Sequence, residues 1–284
     1  MTQYDGIRSP DELVAAIDLC DEADQRSDRP QRIRASAIGM ECGRKLLYDV
    51  LWCSPTEKIS GQLARIFRDG ENVETELIAY LKKIGWEVVD RDPTNPKKQI
   101  AVEMLDGHVF GYVDAVGRDR VVNGLSMAIE IKSHNKANFD KLAKGGVEAA
   151  KPEHYAQLSI YLRAFGWTRG LYFAKCKDNA KLYPEYVEYN ESYVDRLLER
   201  AEMILCKRIL PPRVSANPDG YKCGRCQHKD VCHKGVQVER NCRTCEFSSP
   251  APGGKWACSK HECEITKALA PTGCADYAIA GIFQ

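Results

Sequence analysis

The stretch Ser126-Met127-Ala128-Ile129-Glu130-Ile131-Lys132-Ser133-His134-Asn135-Lys136 decides how the chain is read. Met127, Ile129 and Ile131 alternate with small or charged residues, the period of a β-strand. Glu130 and Lys132 therefore share one face, opposite the apolar one. A half-exposed strand with two charges in water is the plain account of such a pattern. What surrounds the stretch decides between that account and a built site.

The chain has 284 residues, enough for one substantial core plus an appendage. Hydrophobic residues make up 44% and charged residues 29%, a soluble globular composition. The net charge of +1 confines any basic nucleic-acid surface to a local patch. No apolar run is long enough to span a bilayer. The opening MTQYDGIRSPDELV lacks a secretory signal's basic region and apolar core, so a reducing cytoplasm and no membrane partner are expected. Thirteen cysteines are many for such a compartment, and eight fall between Cys223 and Cys274. There, crowding points to metal rather than disulfides.

Ser9-Pro10-Asp11-Glu12 is a capping box that starts a helix running to about Asp24, with a polar connector to Arg34. Helices are expected over SAIGMECGRKLLYDVLW from Ser36, and from about Lys58 to Ile84. In the second, Leu63, Ile66, Phe67, Val73, Leu77 and Leu81 mark the stripe, and Gly70 costs stability. WEVVD, KKQIAVEM, HVFGYVDAVG and SMAIEIKS then read as strands. Helices at 139–142 and 152–165, strands RGLYFAKC and PEYVEY, and a helix from Glu191 to Ile209 follow. Pro211 to Gly220 is a loop. The order predicts an α/β fold, a mixed sheet flanked by helices, with a small Cys-rich C-terminal module. The expected divisions are 1–35, 36–236 and 237–284.

Asp114 lies on an otherwise apolar run, where a carboxylate needs a partner or a metal. If its strand neighbours SMAIEIKS, then Asp114, Glu130 and Lys132 meet. Two carboxylates suit Mg²⁺ or Mn²⁺, and the lysine suits a water nucleophile or a phosphate.

Gly111-Tyr112-Val113-Asp114 followed by Glu130-Ile131-Lys132 resembles the PD-(D/E)xK nucleases. Gln157-Leu158-Ser159-Ile160-Tyr161 resembles the Q-x-x-x-Y helix of their RecB-like branch. That branch also carries G-x-x-x-H upstream; Gly70 to Glu74 offers Glu74 where the histidine would stand, with Glu71 as the fallback. The resemblance spans about Arg34 to Cys232. It implies a restriction-endonuclease-like core with Glu74, Asp114, Glu130 and the Ile131 carbonyl on one or two Mg²⁺ or Mn²⁺ ions. Lys132 would position water, and Gln157 and Tyr161 would hold DNA. Arg44, Lys136 and Lys141 are weaker phosphate candidates; Lys144, Lys151, His134 and His154 lie beside them.

Cys223-x2-Cys226-x5-Cys232 is a metal spacing with three thiolates. A local fourth ligand, His228, His233 or Cys242, would make it a zinc site. Iron–sulfur RecB-like nucleases, which include the CRISPR-adaptation and AddB-type nucleases, share this spacing and place a fourth cysteine upstream. Cys42, in Cys42-x-Arg44-Lys45-x-x-Tyr48, stands there. The resemblance thus implies a [4Fe–4S] cluster on Cys42, Cys223, Cys226 and Cys232 that staples the chain's ends. Cys242, Cys245, Cys258 and Cys274 form a candidate Zn²⁺ site, with His261 and Cys263 as rivals. Cys20, Cys53, Cys176 and Cys206 are expected to be buried small hydrophobes.

The function implied is a DNA exonuclease in recombination, repair, phage DNA metabolism or prespacer processing, with a recombination, replication or CRISPR-adaptation protein as possible partner. The rival readings are a non-catalytic DNA-binding or complex-forming module on this fold, a DNA endonuclease, and a redox regulator run by the cluster.

Overall fold

Alternation along the β-branched runs produces a central sheet with an apolar cluster on each face. The computed structural model describes residues 9–23, 29–56, 58–118, 124–207 and 209–284. The helices are α1 (Pro10–Ala23), α2 (Ala35–Ile38), α3 (Gly43–Leu51), α4 (Gly61–Lys83), α5 (Lys136–Ala150), α6 (Pro152–Phe165), α7 (Glu191–Leu205) and α8 (Lys229–Lys234). The strands are β1 (Ile33–Arg34), β2 (Glu87–Val89), β3 (Ile100–Met104), β4 (Val109–Val113), β5 (Ala115–Arg118), β6 (Ser126–His134), β7 (Arg169–Cys176), β8 (Leu182–Glu188), β9 (Ser248–Ala251), β10 (Lys255–Cys258) and β11 (Cys263–Glu264). The expected mixed α/β architecture with helices on the sheet is what forms.

The main sheet runs β2-β5-β6-β7-β8, antiparallel except for the parallel pair β6–β7, which α5 and α6 connect. Side-chain alternation divides its neighbours. Ile129, Ile131, Leu171 and Phe173 pack with Leu77, Ile78 and Leu81 of α4. Ala128, Tyr172 and Ala174 face the larger cluster, which holds Leu158, Ile160 and Tyr161 of α6. A second sheet, β1-β4-β3, stands beside the first, and β9, β10 and β11 form a small C-terminal sheet.

Several expectations change. HVFGYVDAVG is two strands: Val113 pairs with Ile100 in the small sheet, and Ala115 with Ile129 in the main one. Asp114 is the corner between them. The helix expected from Ser36 breaks at 39–42, because Gly39 lies against α6, where an added Cβ would stand 2.5 Å from that of Ala156. Cys42 then caps α3, accepting from the Lys45 amide at 3.4 Å.

In α4, Gly70 causes no break and has nothing within 4 Å of an added Cβ. Leu63, Ile66 and Phe67 are exposed, and the first half of the helix is tied by Arg65 to Asp18 and Asp21 of α1. The capping box forms, with Ser9 Oγ accepting from the Glu12 amide at 3.2 Å and Glu12 Oε2 from the Ser9 amide at 3.1 Å. Asp24, the expected end of α1, lies outside the described residues.

The C-terminal segment packs into the body of the molecule. Trp256, 1% exposed, joins the larger core. Arg243 lies over its ring at 4.2 Å and over Trp52 at 5.1 Å. Cys53 and Cys176 are buried as expected; Cys20 and Cys206 are exposed, because α1 buries none of its described residues and Cys206 caps the end of α7. Among the described residues no helix is long and apolar enough to cross a membrane.

Candidate active site

Glu130 is 0% exposed, so the account of a charge in water fails. β6 is covered on both faces, and its polar pair points toward α6. Asp114 meets it from the corner: its Oδ2 accepts from the Ile131 amide at 2.7 Å. The β5–β6 ladder stops at Ala115–Ile129, so the Asp114 side chain replaces a strand partner for that amide. The N–H and C=O of one strand residue leave by the same edge, which turns the Ile131 carbonyl toward the same gap. Lys132 Nζ donates to that carbonyl at 3.0 Å, lies 3.6 Å from Asp114 Oδ2 and pairs with Glu130.

Glu74 occupies the turn of α4 before Leu77 and Ile78, on the helix's core stripe, and is half-buried. Glu71, the fallback, is exposed. Burial and the Asp114 carboxylate push Glu74 up to about 7, and the same two causes push Glu130 up to about 8. Against the pull of burial, Glu130 and Asp114 hold the Lys132 ammonium above its ordinary value. Three carboxylates thus converge on one lysine. Among the described residues the Glu130 carboxylate has only the Lys132 ammonium as a charged or hydrogen-bonding partner. A buried carboxylate left so is costly, and a hard cation is the partner this oxygen-only set fits.

Gln157 and Tyr161 are buried, and Gln157 Nε2 donates to the Tyr161 hydroxyl at 2.8 Å. That hydroxyl donates to the Tyr112 carbonyl at 2.8 Å. Gly111 allows the approach, since a Cβ there would stand 2.6 Å from the tyrosine ring. Tyr161 therefore pins the strand that leads into the Asp114 corner.

Sequence reasoning missed a linked trio behind the lysine. The Tyr172 hydroxyl bonds His134 Nε2 and His154 Nδ1, each at 2.9 Å, and the two imidazoles stack. Burial, then Lys151 and Lys132, bring His134 down to about 4; burial, then Lys132, His134 and Lys151, bring His154 to about 3. One signal was present: His154, Gln157 and Tyr161 share a helix face.

Of the phosphate candidates, Lys141 and Lys144 are exposed, and Lys136 is exposed and pairs with Asp140. Arg44 lies elsewhere, donating to the Pro211 carbonyl at 2.6 Å with Cys232 Sγ at 4.0 Å.

Cys42, Cys223, Cys226 and Cys232 line one pocket. Burial, then Cys232 and Cys42, raise the Cys223 thiol. His228 is spent: its ring nitrogens meet Ser54 Oγ at 2.9 Å and Asp49 Oδ1 at 2.8 Å. His233 lines the same pocket. A second pocket, of about 240 Å³, is lined by Cys242, Cys245, Cys258 and Cys274 together with His261 and Cys263. Burial, then Cys274, Cys245 and Cys258, raise the Cys242 thiol. Cys274 also lies 3.4 Å from His261, and with Asp276 these form an exposed group of potential metal ligands.

No protein-family model matches the chain, and no curated protein matches it. Among solved structures it is similar to an alkaline exonuclease, LHK-Exo, from Laribacter hongkongensis, with 14% identity, 62% of this chain and 87% of that chain covered, and a TM-score of 0.45. It is similar to SSO0001 at 16% identity, covering 78% and 96%, with a TM-score of 0.45. LHK-Exo in complex with dAMP matches at 17% identity, covering 62% and 87%, with a TM-score of 0.43. At these values the likeness is one of outline and says nothing of activity.

Proposed function

We propose that the chain is a metal-dependent DNA nuclease of the PD-(D/E)xK type, RecB-like, that hydrolyses phosphodiester bonds at DNA ends. One observation carries the reading: Glu130 is wholly buried with Lys132 as its one cationic partner among the described residues, while the Asp114 and Glu74 carboxylates crowd the same place. Glu74, Asp114, Glu130 and the Ile131 carbonyl would hold Mg²⁺ or Mn²⁺. Such a cation supplies neutralising charge at a phosphate and acidifies bound water. Lys132 orients that water and takes part of the phosphate's charge. Gln157 and Tyr161 fix the Asp114 corner, and Lys136 and Lys141 contact the DNA backbone, which makes binding salt-sensitive.

Cys42, Cys223, Cys226 and Cys232 would hold a [4Fe–4S] cluster; their shared pocket and the engagement of His228 elsewhere support this over a zinc site completed by that histidine. Arg44 then serves the cluster's surroundings. Cys242, Cys245, Cys258 and Cys274 would hold Zn²⁺.

The test is Mn²⁺-dependent digestion of end-labelled linear DNA and of closed circular DNA by anaerobically purified protein. Wild type is expected to degrade the linear DNA only, and Lys132→Ala to lose about 10³-fold in rate. Equal cutting by the variant would remove the active site from this place. Cutting of closed circles would make the enzyme an endonuclease.

A further inference from the structure

The outer face of the small sheet carries aromatic rings that the core does not use. Along β4, Val109 and Val113 are buried, while Phe110 is half-buried and Tyr112 is 49% exposed. The two rings meet edge to face at 6.0 Å, and the Arg32 guanidinium lies over Phe110 at 4.3 Å. Opposite Tyr112 in the ladder stands Ala101, too small to cover a tyrosine ring; Glu103 stands opposite Phe110 and pairs with Arg32.

A single exposed tyrosine is ordinary. The placement of this one is not: it lies two residues before Asp114, and two residues of strand advance roughly 6.6 Å, about one extended nucleotide. Its backbone is also held. Tyr161 bonds its carbonyl, and the hairpin's far end is tied to the C-terminal segment by Gly254 N to Asp106 O at 2.7 Å and His108 Nε2 to Ala251 O at 2.8 Å. A rigid ring costs little entropy to use. Arg32 and Glu103 neutralise each other at this face, so it offers aromatic rings rather than a free cation, and a base is the part of DNA that suits it.

We infer that Tyr112, backed by Phe110 and Arg32, is a stacking platform for a nucleobase of single-stranded DNA, next to the nucleotide whose phosphate reaches the carboxylate site. This deepens the nuclease reading and rests on it for the substrate class. It gives the protein a preference for unpaired ends, because a base within a duplex has no free face to offer.

The full-length protein is tested with single-stranded oligonucleotides carrying 2-aminopurine, bound without divalent metal, and separately in Mn²⁺ cutting assays. Wild type should quench the probe, and Tyr112→Ala should abolish the quenching. The same variant should raise KM for single-stranded DNA roughly tenfold, with kcat changed by less than about twofold. Tyr112→Trp should restore both. Unchanged quenching and KM in Tyr112→Ala would overturn the platform, as would a loss confined to kcat, which would mean that the ring only steadies the corner. A wild type that quenches but does not cut, with quenching lost in Tyr112→Ala, would fail the nuclease reading and leave the platform standing. A wild type that binds no DNA would fail both.

Discussion

The carboxylate site and the cysteine pockets are stabilised in opposite ways. Glu74, Asp114, Glu130 and Lys132 sit on a sheet and a long helix that bury apolar residues on both sides. The fold there would be more comfortable without its charges. The cysteines of the last 60 residues sit on short strands, turns and the six-residue α8, with Trp256 and few other large apolar side chains below them. There the proposed metal on these thiols would add the cohesion that the few apolar contacts leave short. A functional site can be a load that a core carries, or it can stand in for a core; the two respond differently to loss of a ligand.

That difference gives the largest expected effect. If Cys226 ligates the proposed cluster, Cys226→Ser should cost at least about 3 kcal/mol of stability, because the cluster's binding energy would be folding energy. Glu130→Gln should abolish cutting yet hold stability. The sign follows from burial. Glu130 is raised from its ordinary value to about 8, so its contribution is complete below about pH 4.5 and lost as pH rises through 8. In metal-free buffer at pH 9 the glutamine variant should melt above wild type. Thermal melts of both variants, with iron content measured alongside, decide it. A destabilised Glu130→Gln protein or an indifferent Cys226→Ser protein would erase the distinction between the two regions.

The same contrast explains what the sequence disclosed. Regular periodicity revealed the strand of Glu130 and Lys132, the helix of Gln157 and Tyr161, and the order of elements between them. It missed whatever depends on distant partners. HVFGYVDAVG has no local break at Asp114; the change of sheet arises because Val113 and Ala115 find different neighbours. SAIGMECGRKLLYDVLW keeps helical spacing through Gly39, and only the approach of α6 divides it. Leu63, Ile66 and Phe67 match an amphipathic stripe yet are exposed. Tyr172 gave no sign of meeting two histidines, because that requires the parallel register placing it opposite Glu130. In the tail no period existed to follow, so cysteine spacing spoke for ligands but not for β9, β10 or α8.

The histidine trio supplies an intermediate effect that belongs to the sheet alone. His134 and His154 are held neutral in the fold, at about 4 and about 3, against an ordinary 6.5. A base depressed on folding contributes stability that is present above pH 6.5 and lost as pH falls toward the folded value. Between pH 6.5 and 4.5 the protein should lose on the order of 3 kcal/mol through these two rings. Lys132 and Lys151 face them and add to the repulsion once they charge. Denaturant melts across this range should be steep for wild type and flatter for His154→Gln. Equal slopes would mean that the rings are not buried as neutral bases.

The smallest expected effect tests how far the sheet's rigidity reaches into the chemistry. Tyr161→Phe keeps the ring against Gly111 and removes the bond to the Tyr112 carbonyl. Loss of one such buried bond should cost about 1–2 kcal/mol of stability. Asp114 lies two residues beyond the freed carbonyl, so its hold on the Ile131 amide should loosen. Cutting should then fall roughly tenfold in kcat with KM nearly unchanged. That is the reverse of the pattern expected from Tyr112→Ala, whose ring would act on the base rather than on the corner. If Tyr161→Phe raised KM instead, its hydroxyl would be serving DNA directly. The buried bond to Tyr112 would then have to open before substrate could bind.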